Sequence, residues 1–82
     1  MTPLQCTNAR RLLGISQAAL AKKLKMPQVV ISEFELTGHM AQPRQSGRDR
    51  LVELRAWFEQ AGIEFGSDNE GAGGVRLQKV QA

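Results

Sequence analysis

With 82 residues, the chain has room for one domain with a small core and none for an active-site cleft of ordinary size. A net charge of +3 and an isoelectric point near 9.6 make it mildly basic, a balance that suits a polyanionic partner without establishing one. The lone cysteine, Cys6, excludes an internal disulfide and a thiolate-based metal site and fits a reducing cytosol. No apolar run approaches the ~20 residues that span a bilayer, and no signal peptide follows Met1, so the expected location is the cytoplasm with no membrane partner.

The first helix opens at Thr2-Pro3-Leu4-Gln5. Thr2 can cap it, Pro3 fits the first helical position, and Gln5 sits where a capping-box glutamine belongs. Leu4, Ala9, Leu12 and Leu13 supply an apolar face, and Gly14 can end the helix in a left-handed conformation. Arg11 reads as a solvated charge or a phosphate contact.

Ser16 is a suitable N-cap for a second helix, Gln17–Leu24, in which Leu20, Ala21 and Leu24 share a face. Lys22, Lys23 and Lys25 gather positive charge at its far end, a solvated arrangement that favours the helix dipole. Lys25-Met26-Pro27 is too short for anything but a tight turn. Gln28–Leu36 then repeats the helical period with Val30, Ile31 and Phe34 inward. Two helices joined by so short a turn and crossing steeply form a helix-turn-helix, a unit that can set its second helix into a major groove.

On that second helix Gln28, Val29, Ser32 and Glu33 point away from the core, which makes them the candidate base readers. A glutamine amide can pair bidentately with adenine N6 and N7, and valine can pack on a thymine methyl group. Ser32 can reach a base or a phosphate. Glu33 can accept from cytosine N4, or it can serve as the partner of a nearby arginine. The helix carries no Lys or Arg, so affinity for DNA has to come from phosphate contacts elsewhere.

Between Thr37 and Arg50 the residues Gly38, Pro43 and Gly47 mark a loop, and Arg44, Arg48 and Arg50 make it the most basic window of the chain. His39 has no second His or paired Cys near it, which favours a surface histidine over a metal ligand. Ser46 followed by Asp49 reads as a capping box that opens a long helix to about Ala61, with Gly62 as its stop. Leu51, Leu54, Phe58 and Ala61 repeat at helical spacing to close the core. Trp57 falls at the edge of that stripe, where it can cover the core or anchor an interface.

Ile63-Glu64-Phe65 and Val75-Arg76-Leu77 alternate apolar and polar on either side of a Gly-rich segment, which predicts two short strands and a flexible loop. A two-stranded hairpin alone is marginal. Pairing with a second chain would bury Ile63, Phe65, Val75 and Leu77; a frayed tail is the alternative. The expected organisation is a DNA-binding domain over residues 1–62 and a dimerisation element over 63–82.

From Arg10 to about Thr37 the chain resembles the XRE family, the phage repressor and Cro class of helix-turn-helix regulators. The resemblance is carried by Arg10, Leu13, Gly14-Ile15-Ser16-Gln17, Leu20-Ala21, Leu24, Met26, Ile31-Ser32, Phe34 and Glu35. It implies a mostly α, four-helix repressor/Cro-like domain, here followed by a short C-terminal β-hairpin or strand pair in place of the family's usual fifth helix. It further implies an internal ion pair between Arg10 and Glu35, and a phosphate contact at Gln17. The loop after the recognition helix (about 28–36) would lie along the DNA backbone, with Arg44 and Arg48 as its phosphate contacts. Two residues depart from the family pattern. Lys25 stands where glycine is usual, at a cost of about 1 kcal/mol if φ is positive. Pro27 replaces a capping Ser or Thr.

The function these features predict is a sequence-specific double-stranded DNA-binding regulator, a repressor acting as a homodimer on an inverted repeat. The alternative is a protein-interaction module on the same scaffold, an antiactivator or antitoxin. No enzyme, metal or cofactor is expected: the sequence has no Cys/His pair, no catalytic carboxylate pair and no phosphate-cradling glycine motif.

Overall fold

A computed structural model describes residues 1–42, 49–66 and 74–77. Among these, helices α1 (Pro3–Leu13), α2 (Gln17–Leu24), α3 (Gln28–Thr37) and α4 (Arg50–Gln60) precede strands β1 (Ile63–Phe65) and β2 (Val75–Leu77). The fold is mostly helical with a short antiparallel sheet.

Local signals set most of the helix ends. Thr2 Oγ1 accepts from the Gln5 N–H at 3.1 Å while Gln5 Oε1 accepts from the Thr2 N–H at 2.9 Å, the reciprocal box expected at the start of α1. Gly14 ends that helix at φ 69°. A Cβ at Gly14 would meet nothing within 4 Å, so backbone conformation rather than space favours glycine there. Ser16 Oγ caps α2 by accepting from the Ala19 N–H at 3.0 Å.

Lys25 ends α2 in the left-handed region at φ 56°, the one non-glycine with positive φ among the described residues. Its N–H reaches the Ala21 and Lys22 carbonyls, which keeps the turn closed despite the steric cost of a Cβ. Pro27 occupies the N-cap of α3 at φ −62°, with no side-chain cap among the described residues. The fixed proline φ starts the helix where a hydroxyl cap would otherwise be used.

The start of α4 differs from expectation. Asp49, not Ser46, is its N-cap, accepting from the Leu51 N–H at 2.8 Å; Ser46 lies outside the described residues. A carboxylate is favoured at the positive end of a helix. Gln42 reinforces the cap, with Oε1 accepting from the Arg50 N–H at 2.9 Å and Nε2 donating to Asp49 Oδ1 at 3.0 Å.

The core gathers residues from every element: Cys6 and Ala9, Leu20 and Ala21, Met26, Val30, Ile31 and Phe34, Leu54 and Phe58, Ile63 and Val75. α2 packs on α3, α1 lies against α3 and β2, and β1 lies against α4. The face that α1 buries matches the expected one at Ala9 and Leu13 but not at Leu4 and Leu12. Gln5, Cys6 and Ala9 are buried, Leu13 is half-buried, and Leu4 and Leu12 are 58% and 42% exposed. Each residue turns the helix by about 100°, so turning the small Cys6 and Ala9 inward for close approach sends Leu4 and Leu12 to the surface.

The strand pair is integrated into this core rather than standing off as a tail. Ile63 pairs with Leu77 and Phe65 with Val75, and Ile63 and Val75 are only 3% and 5% exposed. Both are therefore already covered by their own chain, which leaves little of either side chain for a second copy to bury. Gln5, itself buried, donates from Nε2 to the Gly66 carbonyl at 3.2 Å, so the residue that caps α1 also fastens the end of β1. Phe58 and Phe65 meet edge to face at 6.1 Å, and the Arg55 guanidinium lies 5.2 Å from the centre of the Phe65 ring. Most of the Gly-rich segment, residues 67–73, lies outside the described residues. Among the described residues no helix is long and apolar enough to cross a membrane.

Candidate nucleic-acid interface

α3 divides into two faces. Val30, Ile31 and Phe34 are buried, which fixes the rotation of the helix against α2. At about 100° per residue, Gln28, Ser32, Leu36, Val29 and Glu33 then share the opposite arc. Gln28 is exposed, Val29 is 64% exposed and Leu36 85%, while Ser32 and Glu33 are intermediate. The expected readers thus share one outward surface. Leu36 belongs with them and escaped the sequence reading, although its spacing of seven from Val29 placed it on the same side.

The polar groups on this arc differ in what they have left to offer. Ser32 Oγ donates to the Val29 carbonyl at 3.2 Å. Glu33 Oε1 lies 3.6 Å from His39 Nε2, so its charged neighbour among the described residues is a histidine. Gln28 has no side-chain hydrogen bond among the described residues, and its amide keeps both donor and acceptor.

Behind the arc, Glu35 locks three helices together. Arg10 of α1 donates to it from Nε and from Nη2, both at 2.9 Å, and donates from Nη1 to the Ile15 carbonyl at 3.1 Å. Gln17 of α2 donates from Nε2 at 2.9 Å, and the Cys6 thiol donates at 3.3 Å. The expected Arg10–Glu35 pair is present, with side chains only 16% and 7% exposed. Burial alone would raise the Glu35 carboxyl. Hydrogen bonds from Arg10, Gln17 and Cys6, with the charge of Arg10, outweigh it and hold the group down at about 2. Burial, followed by the charge of Glu35, pushes the Cys6 thiol well above its usual range.

Gln17 was expected to face a phosphate, and one of its amide hydrogens is instead held by Glu35. An amide nitrogen carries two hydrogens, so the second stays available beside the first turn of α2. That Gln17 and Cys6 share Glu35 with Arg10 was not visible in the sequence, because the four residues are brought together from three helices.

The expected phosphate contacts Arg44 and Arg48 lie outside the described residues. The flanks of their segment are tied together through Gln42, Asp49 and Arg50, whose Nη1 also donates to the Ala41 carbonyl at 2.9 Å. Arg50 is thereby engaged by the chain's own backbone. Lys22, Lys23, Lys25 and Arg11 are exposed. Of the residues expected at a dimer surface, Trp57 is half-buried with its ring edge-to-face on Phe58 at 5.6 Å, Phe65 is half-buried, and Leu77 is 42% exposed. Among the described residues no group of His, Cys, Asp and Glu is arranged to hold a metal.

Comparison of the chain with models of known protein families, with curated proteins and with solved structures finds no significant match.

Proposed function

We propose that the chain is a sequence-specific double-stranded DNA-binding regulator of the repressor/Cro helix-turn-helix type, acting as a repressor by occupying an inverted-repeat operator as a homodimer. The observation that carries this reading is the pairing of α2 and α3 across Lys25-Met26-Pro27. There Val30, Ile31 and Phe34 anchor α3, and Gln28, Val29, Ser32 and Glu33 are left on its outward arc. A helix held so can enter a major groove with its first residues at the base edges. Exposed Lys22, Lys23 and Lys25, with Arg44 and Arg48 in sequence, supply cations for the backbone. Of the side chains expected at a dimer surface, Trp57, Phe65 and Leu77 keep apolar area for a second copy.

A second reading, a protein-interaction module such as an antiactivator or antitoxin, is favoured by one feature of the same face. α3 carries no Lys or Arg, and Leu36 is its most exposed apolar residue at 85%. Selection of bound duplexes from a random pool, at low and at physiological salt, separates the two. An enriched inverted repeat whose binding weakens steeply with salt is expected of the regulator. Absence of any enriched sequence would overturn it in favour of a protein partner.

A further inference from the structure

α4 turns Leu54 and Phe58 into the core and leaves its opposite side to solvent. Val52, Arg55, Ala56 and Glu59 are exposed there, Val52 at 64%. At about 100° per residue, Val52 and Ala56 lie one turn apart near the middle of this side, and Arg55 and Glu59 share one flank of it. Arg55 Nε is 3.5 Å from Glu59 Oε2, and the same guanidinium lies over the Phe65 ring. For a single chain this is a poor placing of charge. An acid four residues after a base is the less favourable order within a helix. Glu59 also stands in the last turn of α4, which holds no basic residue and where the helix dipole is negative.

A second α4 packed antiparallel across a two-fold axis reverses both penalties. Such an axis sets each flank of the helix against the same flank of the other copy. Arg55 and Glu59 are equally far along the helix from Trp57. With the axis level with that residue, Arg55 of each copy faces Glu59 of the other, and each Glu59 moves away from opposing dipoles towards the N-terminal half of the neighbouring helix. From this we infer that α4 pairs antiparallel with α4 of a second copy, through Val52 and Ala56 at the centre and two reciprocal Arg55–Glu59 ion pairs at the edge. Ala56 is small enough for close approach, and Val52 loses its exposure to water. The inference deepens the homodimer of the reading above, and Phe65, beneath Arg55, places β1 at the border of the same surface.

The test is a mixing experiment on the full chain without DNA. Arg55→Glu leaves two carboxylates at the contact, and Glu59→Arg leaves two guanidinium groups. Each variant alone should self-associate about 10- to 100-fold more weakly than the parent, because like charges then meet at two symmetric places. An equimolar mixture should recover a dimer holding one of each, with an affinity close to the parent's. Sedimentation equilibrium gives the constants, and native mass spectrometry identifies the mixed species. Neither variant keeps the ion pair within its own helix, so recovery can only come from pairing between chains. Both positions are exposed, so thermal melts should match the parent. Val52→Lys, which alters neither charge, should weaken self-association by about 10-fold by placing an unpaired amine at the centre. Single variants that associate like the parent, a mixture that stays monomeric, or a Val52→Lys variant that dimerises normally would overturn the α4 pairing and leave a homodimer to other surfaces. A parent that stays monomeric up to roughly 100 µM would remove the pairing and the homodimer together. DNA binding is decided separately by the duplex selection.

Discussion

The Glu35 carboxylate is the group on which acid stability should turn. It accepts from Arg10 twice, from Gln17 and from Cys6, and its folded-state pKa of about 2 lies below the ordinary 4.5. A carboxyl depressed by folding contributes its full stabilisation above the unfolded value and loses it as pH falls towards the folded one. The gap corresponds to something on the order of 3 kcal/mol, of which about 2 kcal/mol should be gone at pH 3. Removing Glu35 alone is a poor test, because it strands a guanidinium whose side chain is only 16% exposed at a cost of about 3–5 kcal/mol. The double substitution Arg10→Met with Glu35→Leu removes both charges and should be closer to the parent in stability than either single change. Urea unfolding followed by circular dichroism from pH 7 to pH 3 gives the comparison. Between pH 6 and pH 3 the parent midpoint should fall by about 1–2 M more than that of the double variant. The remaining carboxylates titrate in both proteins, so the difference isolates the Glu35 network. Parallel curves would refute the argument.

The other expectations concern the turn, the thiol and the sheet edge. Lys25→Gly relieves a left-handed conformation costing ~1–2 kcal/mol and adds ~0.5–1 kcal/mol of unfolded-state entropy. The net gain should raise the melting temperature by about 3–6 °C; a fall would mean that the lysine side chain matters more than its backbone. Cys6 is fully buried and donates to Glu35, so thiol labelling at neutral pH should proceed only as fast as the protein opens. Rapid labelling of the native chain would show that α1 is not seated as described. Leu77→Lys should leave thermal stability within about 0.5 kcal/mol of the parent, as for other surface changes. It should weaken self-association in sedimentation equilibrium, and an unchanged dimerisation constant would remove β2 from the dimer surface.

Where a feature is local, the sequence carries it. The Thr2–Gln5 box, Gly14, Ser16 as a cap, the Lys25-Met26-Pro27 turn and both strands follow from side chains a few residues apart. Lys25 shows how far such reasoning reaches, since a position where the resemblance calls for glycine takes φ 56°. The misses share a cause. On α1, Ala9 and Leu13 face the core as their spacing predicts, but Leu4 and Leu12 give way to Cys6 because α3 and β2 lie against that side of the helix. Strand alternation marks Ile63 and Val75 as apolar but cannot say that α1 and α4 of the same chain cover them. The capping role of Gln5 is local, but its bond to Gly66 is not, and Gln17, expected at a phosphate, gives one amide hydrogen to Glu35 on another helix. Each of these depends on contacts between distant segments, to which helical or strand period is blind. Asp49 rather than Ser46 caps α4, and the support it receives from Gln42, seven residues earlier, lies beyond what a capping-box pattern registers.

The charge on α3 has a consequence for how affinity and selectivity combine on the DNA-binding reading. Its outward arc offers an amide, two apolar side chains, a hydroxyl and a carboxylate, so it adds no counterion release and Glu33 opposes the phosphates. The cations lie elsewhere, on exposed Lys22, Lys23 and Lys25 and on Arg44 and Arg48. Phosphate contacts contribute alike to every duplex, with a slope of about 0.9 in log affinity against log salt for each neutralised phosphate. Specific and non-specific binding should therefore weaken together as salt rises, and their ratio should stay nearly constant. Lys22→Gln with Lys23→Gln would lower both affinities and shallow both slopes without altering the preferred site if those lysines touch phosphate, and would change neither if they are only solvated. A ratio that rose or fell steeply with salt would mean that selectivity resides in charged contacts. Gln28 and Val29 would then not be its source.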